Sequence, residues 1–142
     1  FYFSIKGVFM IESAGGMIPF LCHVFLIFFG GFFGLNFAFN KNFVKSNIGY
    51  ESTEASYMGR PLGFLMIGLV LMFIATLFQI EGYSSTNEIF TVLFIFLILA
   101  TAHGFALSFK ILATHDGNDW PMKQNLRPLI PLAVIVIRYF SL

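Results

Sequence analysis

Residues 61–80 read PLGFLMIGLVLMFIATLFQI, with no charged residue. At 1.5 Å per residue this run reaches ~30 Å as a helix, the thickness of a bilayer's hydrocarbon core. Arg60 and Pro61 mark its start, and proline at the first helical position gives up an N–H that would have no partner there. Gln79 and Glu81 mark its exit. The segment reads as a transmembrane helix, and the rest of the chain can be read outward from it.

On the C-terminal side, the turn from Glu81 to Glu88 is short and holds no lysine or arginine. Ser84, Ser85, Thr86 and Asn87 are suitable caps for a following helix. That next apolar segment, 89–109, ends at Lys110, a residue that can snorkel to the headgroups. A polar connection from Thr114 to Arg127 follows, with Trp120 as an interfacial anchor. A last segment, 128–142, is only ~22 Å long, contains Pro131 and Arg138, and would need a C-terminal continuation to complete a crossing. Arg138 is expected to snorkel toward the far interface.

On the N-terminal side, residues 40–60 form an amphipathic polar connection, preceded by an apolar span at 18–39 in which Pro19 falls in the tolerant first turn. Residues 1–12 mix Phe3, Val8 and Phe9 with Lys6 and Glu12, which suits an interfacial helix or an early start to the first span. The chain opens on Phe1 rather than methionine, which suggests processing or a partial sequence.

Composition agrees. Of 142 residues, 58% are hydrophobic and 11% charged, against roughly 25% charged in soluble domains. A free soluble globule is excluded, and so is a disordered chain. A net charge of +1 without a basic cluster excludes nucleic-acid binding. The single cysteine, Cys22, excludes an intramolecular disulfide and a cysteine-based zinc site. The expected fold is therefore all-α: one integral membrane domain over 1–142, a four-helix bundle with spans at 18–39, 61–80, 89–109 and 128–142. Lys41, Lys45, Arg60, Lys110, Lys123 and Arg127 lie on the side of the two long connections, with only Lys6 and Arg138 opposite. That asymmetry places the connections on the cytoplasmic or matrix side of a bacterial or organellar inner membrane.

Two kinds of residue carry candidate function. Gly30 and Gly34 form G-x-x-x-G in the first span, and Gly59, Gly63 and Gly68 line the start of the second. Small residues four apart let helix backbones approach, either within the bundle or between subunits. His23 and His103 are the two histidines within spans. Imidazole could ligate haem iron or a chlorophyll magnesium, relay protons or border a quinone pocket, or simply hydrogen-bond a neighbouring helix. Their depths, ~8 Å and ~21 Å from the starts of parallel spans, argue against one shared haem, although a first span starting near Ser13 would bring them within ~6 Å. Gly104 leaves space beside His103 for a flat ring or a bulky neighbour. Glu51, Glu54, His115, Asp116 and Asp119 share one side, without the spacing of a metal motif, and read as solvated loop charge. Arg60 can pair with a lipid phosphate or with Glu54, or serve as a plain interfacial anchor. No nucleotide-binding or hydrolase motif occurs.

The stretches YMGRPLGFLMIGLVLMF (Tyr57 to Phe73) and HGFALSFKILATHDG (His103 to Gly117), with the glycine-bearing first span and the short last one, resemble the small four-helix DoxX-like membrane proteins and their uncharacterised relatives. The resemblance implies a bundle architecture and association with a larger membrane complex, since some DoxX-type proteins are subunits of quinone-linked oxidoreductase systems. The expected role is that of a non-catalytic accessory subunit packed against other membrane subunits, a second copy and lipid. The alternatives are a subunit binding haem, chlorophyll or quinone at His23 or His103, and a small transporter with a site near His103, Thr101 and Asn36.

Overall fold

A computed structural model describes residues 2–48, 52–114 and 117–142. Seven α-helices and one 3-10 turn make up the described chain, with no strand among the described residues. They are α1 (Tyr2–Ala14), α2 (Met17–Phe39), α3 (Lys41–Ile48), α4 (Thr53–Tyr57), α5 (Gly59–Leu77), α6 (Thr86–Ser108), the turn Met122–Asn125 and α7 (Leu126–Ser141). Helices α2, α5 and α6 are long and apolar enough to cross a membrane, so the chain is an integral membrane protein. Helix α7 reaches only ~24 Å and is not among those three, so its place as a fourth span belongs with the proposals below.

The ends of three helices have a common cause. A helix stops where one residue turns left-handed and two backward hydrogen bonds close the last turn. Gly15 (φ 102°) does this for α1, with Gly15 N–H bonded to Glu12 C=O and Gly16 N–H to Ile11 C=O. Tyr2–Ala14 is thus a separate helix rather than an early part of the first span. Gln79 (φ 49°) ends α5 and Lys110 (φ 59°) ends α6 in the same way. These are not glycines, and the polar residues that mark the span ends in the sequence are the ones that turn left-handed. The span expected to reach Ile80 ends at Leu77.

Packing follows the small residues. Gly30, Gly34 and Ala38 recur every four residues along one side of α2, with Gly34 and Ala38 against Gly63 of α5 and Gly30 against Val70. A Cβ on Gly34 would lie 3.2 Å from Ile67 and Met66 side-chain carbons, and one on Gly30 would lie 2.9 Å from Val70. Helices α2 and α5 therefore touch closely, whereas α5 meets α6 sparsely. The core of Leu26, Phe73, Phe90, Leu97 and Ile135 joins α2, α5, α6 and α7. His23 of α2 meets Phe73 near the end of α5 and Phe90 near the start of α6. Consecutive long helices are therefore antiparallel, and α2 runs parallel to α6. The long connections gather at one end of the bundle and the turn at 78–85 lies at the other.

Candidate functional site

The sparse α5–α6 contact leaves space in the half of the bundle nearest the long connections. A cavity of about 670 Å³ lies there, within the 300–1,000 Å³ that small-molecule sites ordinarily occupy. Phe29, Phe33 and Phe37 of α2, Leu62 and Met66 of α5, and Phe96, Leu97 and Ala100 of α6 form apolar walls, and Pro128 and Pro131 of α7 contribute further lining. Its polar groups come from the end of α6 and the connection after it: His103, Thr114, Trp120, Gln124, Asn125 and Arg127. The phenylalanines of α2 recur every four residues, so their rings follow one another up one face. Phe29 and Phe33 are 4.8 Å apart between centroids, and Phe33 and Phe37 6.4 Å.

The polar end is built around Asn125, which is 2% exposed. Its amide donates to Ser108 Oγ at 2.9 Å, and its carbonyl oxygen accepts from Trp120 Nε1 at 3.1 Å. Gly104 makes this possible, because a Cβ there would collide with the Asn125 amide. The space that glycine leaves beside His103 is thus occupied by an asparagine side chain from the connection. Trp120 is half-buried and tied to this knot. Arg127 donates to the Asn47 carbonyl at 3.0 Å and to the Asn47 side chain, which fastens α3 to the base of α7. Two groups on the cavity remain unsatisfied. Gln124 Oε1 is buried without a partner, and the exposed ring of His103 makes no hydrogen bond among the described residues. Buried polar atoms are rarely left unpaired, so the Gln124 oxygen calls for a physical reason, while the exposed imidazole is open to a partner.

His23 lies elsewhere. It sits ~9 Å along α2, whereas His103 lies ~26 Å along the parallel α6, so the structure does not bring them together. The His23 ring is 1% exposed, and its Nε2–H donates to the Phe73 carbonyl at 2.7 Å. It meets Phe73 and Phe90 edge-on at 5.4 and 5.2 Å.

Arg138 does not snorkel outward. Pro131, Ile135 and Arg138 share the buried face of α7, and the spacing i, i+4, i+7 turns the arginine inward with them. It is 3% exposed, lies 3.8 Å over the Phe90 ring and donates to Asn87 Oδ1 at 3.0 Å, while Nε and Nη1 have no partner. A buried charge without a counter-ion costs more than its contacts return. Arg138→Met retains the unbranched stem, removes the charge and leaves exposed Asn87 to water. It is expected to stabilise the protein by about 1–3 kcal/mol, read as a higher Tm in detergent. A lower Tm would mean that the guanidinium has a counter-charge.

The remaining sequence candidates separate. Lys110 pairs with Asp119 at 3.3 Å on the surface, and Arg60 lies 4.1 Å over the Tyr57 ring. Gly68 and Gly31 face open space. Asn36 bonds within its own helix, to the Phe32 carbonyl. No group of three or more His, Cys, Asp or Glu side chains placed to hold a metal occurs among the described residues; Glu51, His115 and Asp116 lie outside them. The sequence pointed to His103 but missed Gln124 and the α2 phenylalanine ladder. The ladder was visible as Phe29-x-x-x-Phe33-x-x-x-Phe37.

The fold and cavity define an all-helical membrane protein with an apolar, polar-ended cavity opposite a closed aromatic cluster. Comparison with known proteins finds no match: no family model, no curated protein and no solved structure aligns with this chain.

Proposed function

We propose that this chain is a small membrane subunit that holds one lipophilic molecule with a polar head in the cavity between α2, α5, α6 and α7. The supporting observation is the buried, unpartnered Gln124 Oε1 on a cavity largely walled by aromatic and aliphatic side chains, with the exposed His103 imidazole on the same cavity. An apolar body would lie against Phe29, Phe33 and Phe96, and a head that both donates and accepts would complete Gln124 and His103. A quinol and the hydroxyl-bearing head of a single-chain lipid have this chemistry, whereas a quinone, which only accepts, would not satisfy the Gln124 oxygen. In this reading α7 is a fourth, short span, and the lysine and arginine asymmetry puts the cavity's polar end on the cytoplasmic or matrix side.

The test is purification in mild detergent, solvent extraction, mass spectrometry and a visible–ultraviolet spectrum. We expect one lipophilic species in near-stoichiometric amount, strongly reduced by Ala100→Trp, which fills the cavity. An empty protein, or a content unchanged by Ala100→Trp, would overturn the proposal.

A second reading, an accessory subunit packed against other subunits or another copy, is favoured by Gly31 and Gly68. A Cβ at either would meet nothing within 4 Å, so both leave outward space for a foreign helix to approach. Gly68→Leu should then release a partner or shift a dimer to monomer on gel filtration without lowering Tm.

A further inference from the structure

We propose that the end of α2 and the start of α5 form a binding site for the phosphate head group of an anionic lipid, distinct from the large cavity. Asn40 breaks the helix at φ −113° and ψ 90°, so Lys41 opens α3 directly below the last turn of α2. Arg60 is the second residue of α5. The close approach of Gly63 to Gly34 and Ala38, and of Gly59 to Val44 and Phe37, sets these two bends side by side. Lys41 and Arg60 consequently line one pocket of about 210 Å³, together with Ser56, Tyr57 and Phe39.

Two cations on one pocket repel each other unless an anion sits between them. No carboxylate lines the pocket, and Glu54 of neighbouring α4 is not part of it. Among the described residues neither cation is within ion-pair distance of an acid. The Tyr57 face beneath Arg60, 4.1 Å from its guanidinium carbon, orders the guanidinium plane. A guanidinium so held can offer two N–H groups to phosphate oxygens, and lysine adds a point charge. The pocket lies where the apolar helix α2 ends and α5 begins, and spans of that length would put it at the depth of the head groups. Phe39 and Phe64 stand edge to face at 5.9 Å and are 70% and 54% exposed. They place an apolar surface beside the pocket for an acyl chain, which favours a lipid over free phosphate.

Native mass spectrometry of the full chain in mild detergent tests this, with phosphatidic acid, phosphatidylglycerol, phosphatidylcholine and inorganic phosphate as probes. We expect retention of the two anionic lipids over phosphatidylcholine, and a loss of at least about tenfold in K41Q/R60Q. K110Q, at the other connection, should bind as the parent does. Singly substituted K41Q, which alters an exposed side chain, should show part of the loss even if the double variant folds poorly. Equal retention in K41Q and the parent would overturn the proposal, as would displacement of the lipid by equimolar inorganic phosphate.

Discussion

Gly63→Leu is expected to separate α2 from α5 and to lower stability by at least about 3 kcal/mol. Even the first carbon of a side chain has no room. A Cβ at Gly63 would run into the Ala38 nitrogen and lie 2.7 Å from the Gly34 carbonyl oxygen and 2.8 Å from Ala38 Cα. All three are backbone atoms, so no rotamer relieves the clash and one helix must move bodily. That movement would loosen the Gly30–Val70 and Gly34–Ile67 contacts above it and the Gly59–Val44 contact below it. Gly63→Ala should already cost much of this, whereas Gly68→Leu on the open side of α5 should stay within about ±0.5 kcal/mol in an isolated protomer. Thermal unfolding in detergent, followed by far-ultraviolet circular dichroism, reads both. A Gly63→Ala protein that melts with the parent would mean that the α2–α5 contact is not as close as described.

The contrast between Gly63 and Gly68 shows where sequence reading stops. Glycine spacing identified both as packing residues, yet only the helix's rotation against α2 decides which one faces a neighbour. The three long spans were legible because twenty apolar residues in a row leave the backbone no alternative in a bilayer. The end of α6 beside Lys110 was legible from that charge, whereas α5 stops at Leu77, three residues before Ile80, because the left-handed turn at Gln79 carries no mark beyond its polarity. Arg138 was read outward because a charge near a helix end ordinarily reaches water. The face it shares with Pro131 and Ile135 was already in the sequence, and that periodicity outweighed the preference for water. His103 was legible as a candidate by residue type alone. Gln124 was not, because a glutamine in a polar connection is ordinary until the turn Met122–Asn125 folds it under α6.

His23→Ala is expected to destabilise the protein by about 3–4 kcal/mol and to leave the cavity's contents unchanged. The cost has two parts. The Nε2–H bond to the Phe73 carbonyl at 2.7 Å is lost, worth about 1 kcal/mol. The Phe73 carbonyl itself still accepts from Thr76 Oγ1 at 3.2 Å, so it is not left orphaned. The larger part is the void. His23, Phe73 and Phe90 stand nearly perpendicular to one another, with Phe73 and Phe90 only 4.8 Å apart. Arg138 lies against Phe90, so these rings cannot collapse inward without moving α7. His23→Phe keeps a ring but gives up the hydrogen bond and presses a larger edge on the Phe73 carbonyl, so it should cost about 2 kcal/mol, less than alanine. This ordering separates a packing histidine from a ligand, because a metal-ligating imidazole would tolerate phenylalanine no better than alanine. If both variants lost a bound chromophore while unfolding at the parent's temperature, His23 would be a cofactor ligand and its bond to Phe73 would be secondary. If the alanine variant melts earlier than the phenylalanine one and both keep the cavity's lipophilic species, the two halves of the bundle are distinct. His23 then serves packing in its half, and His103 in the other remains free to bind.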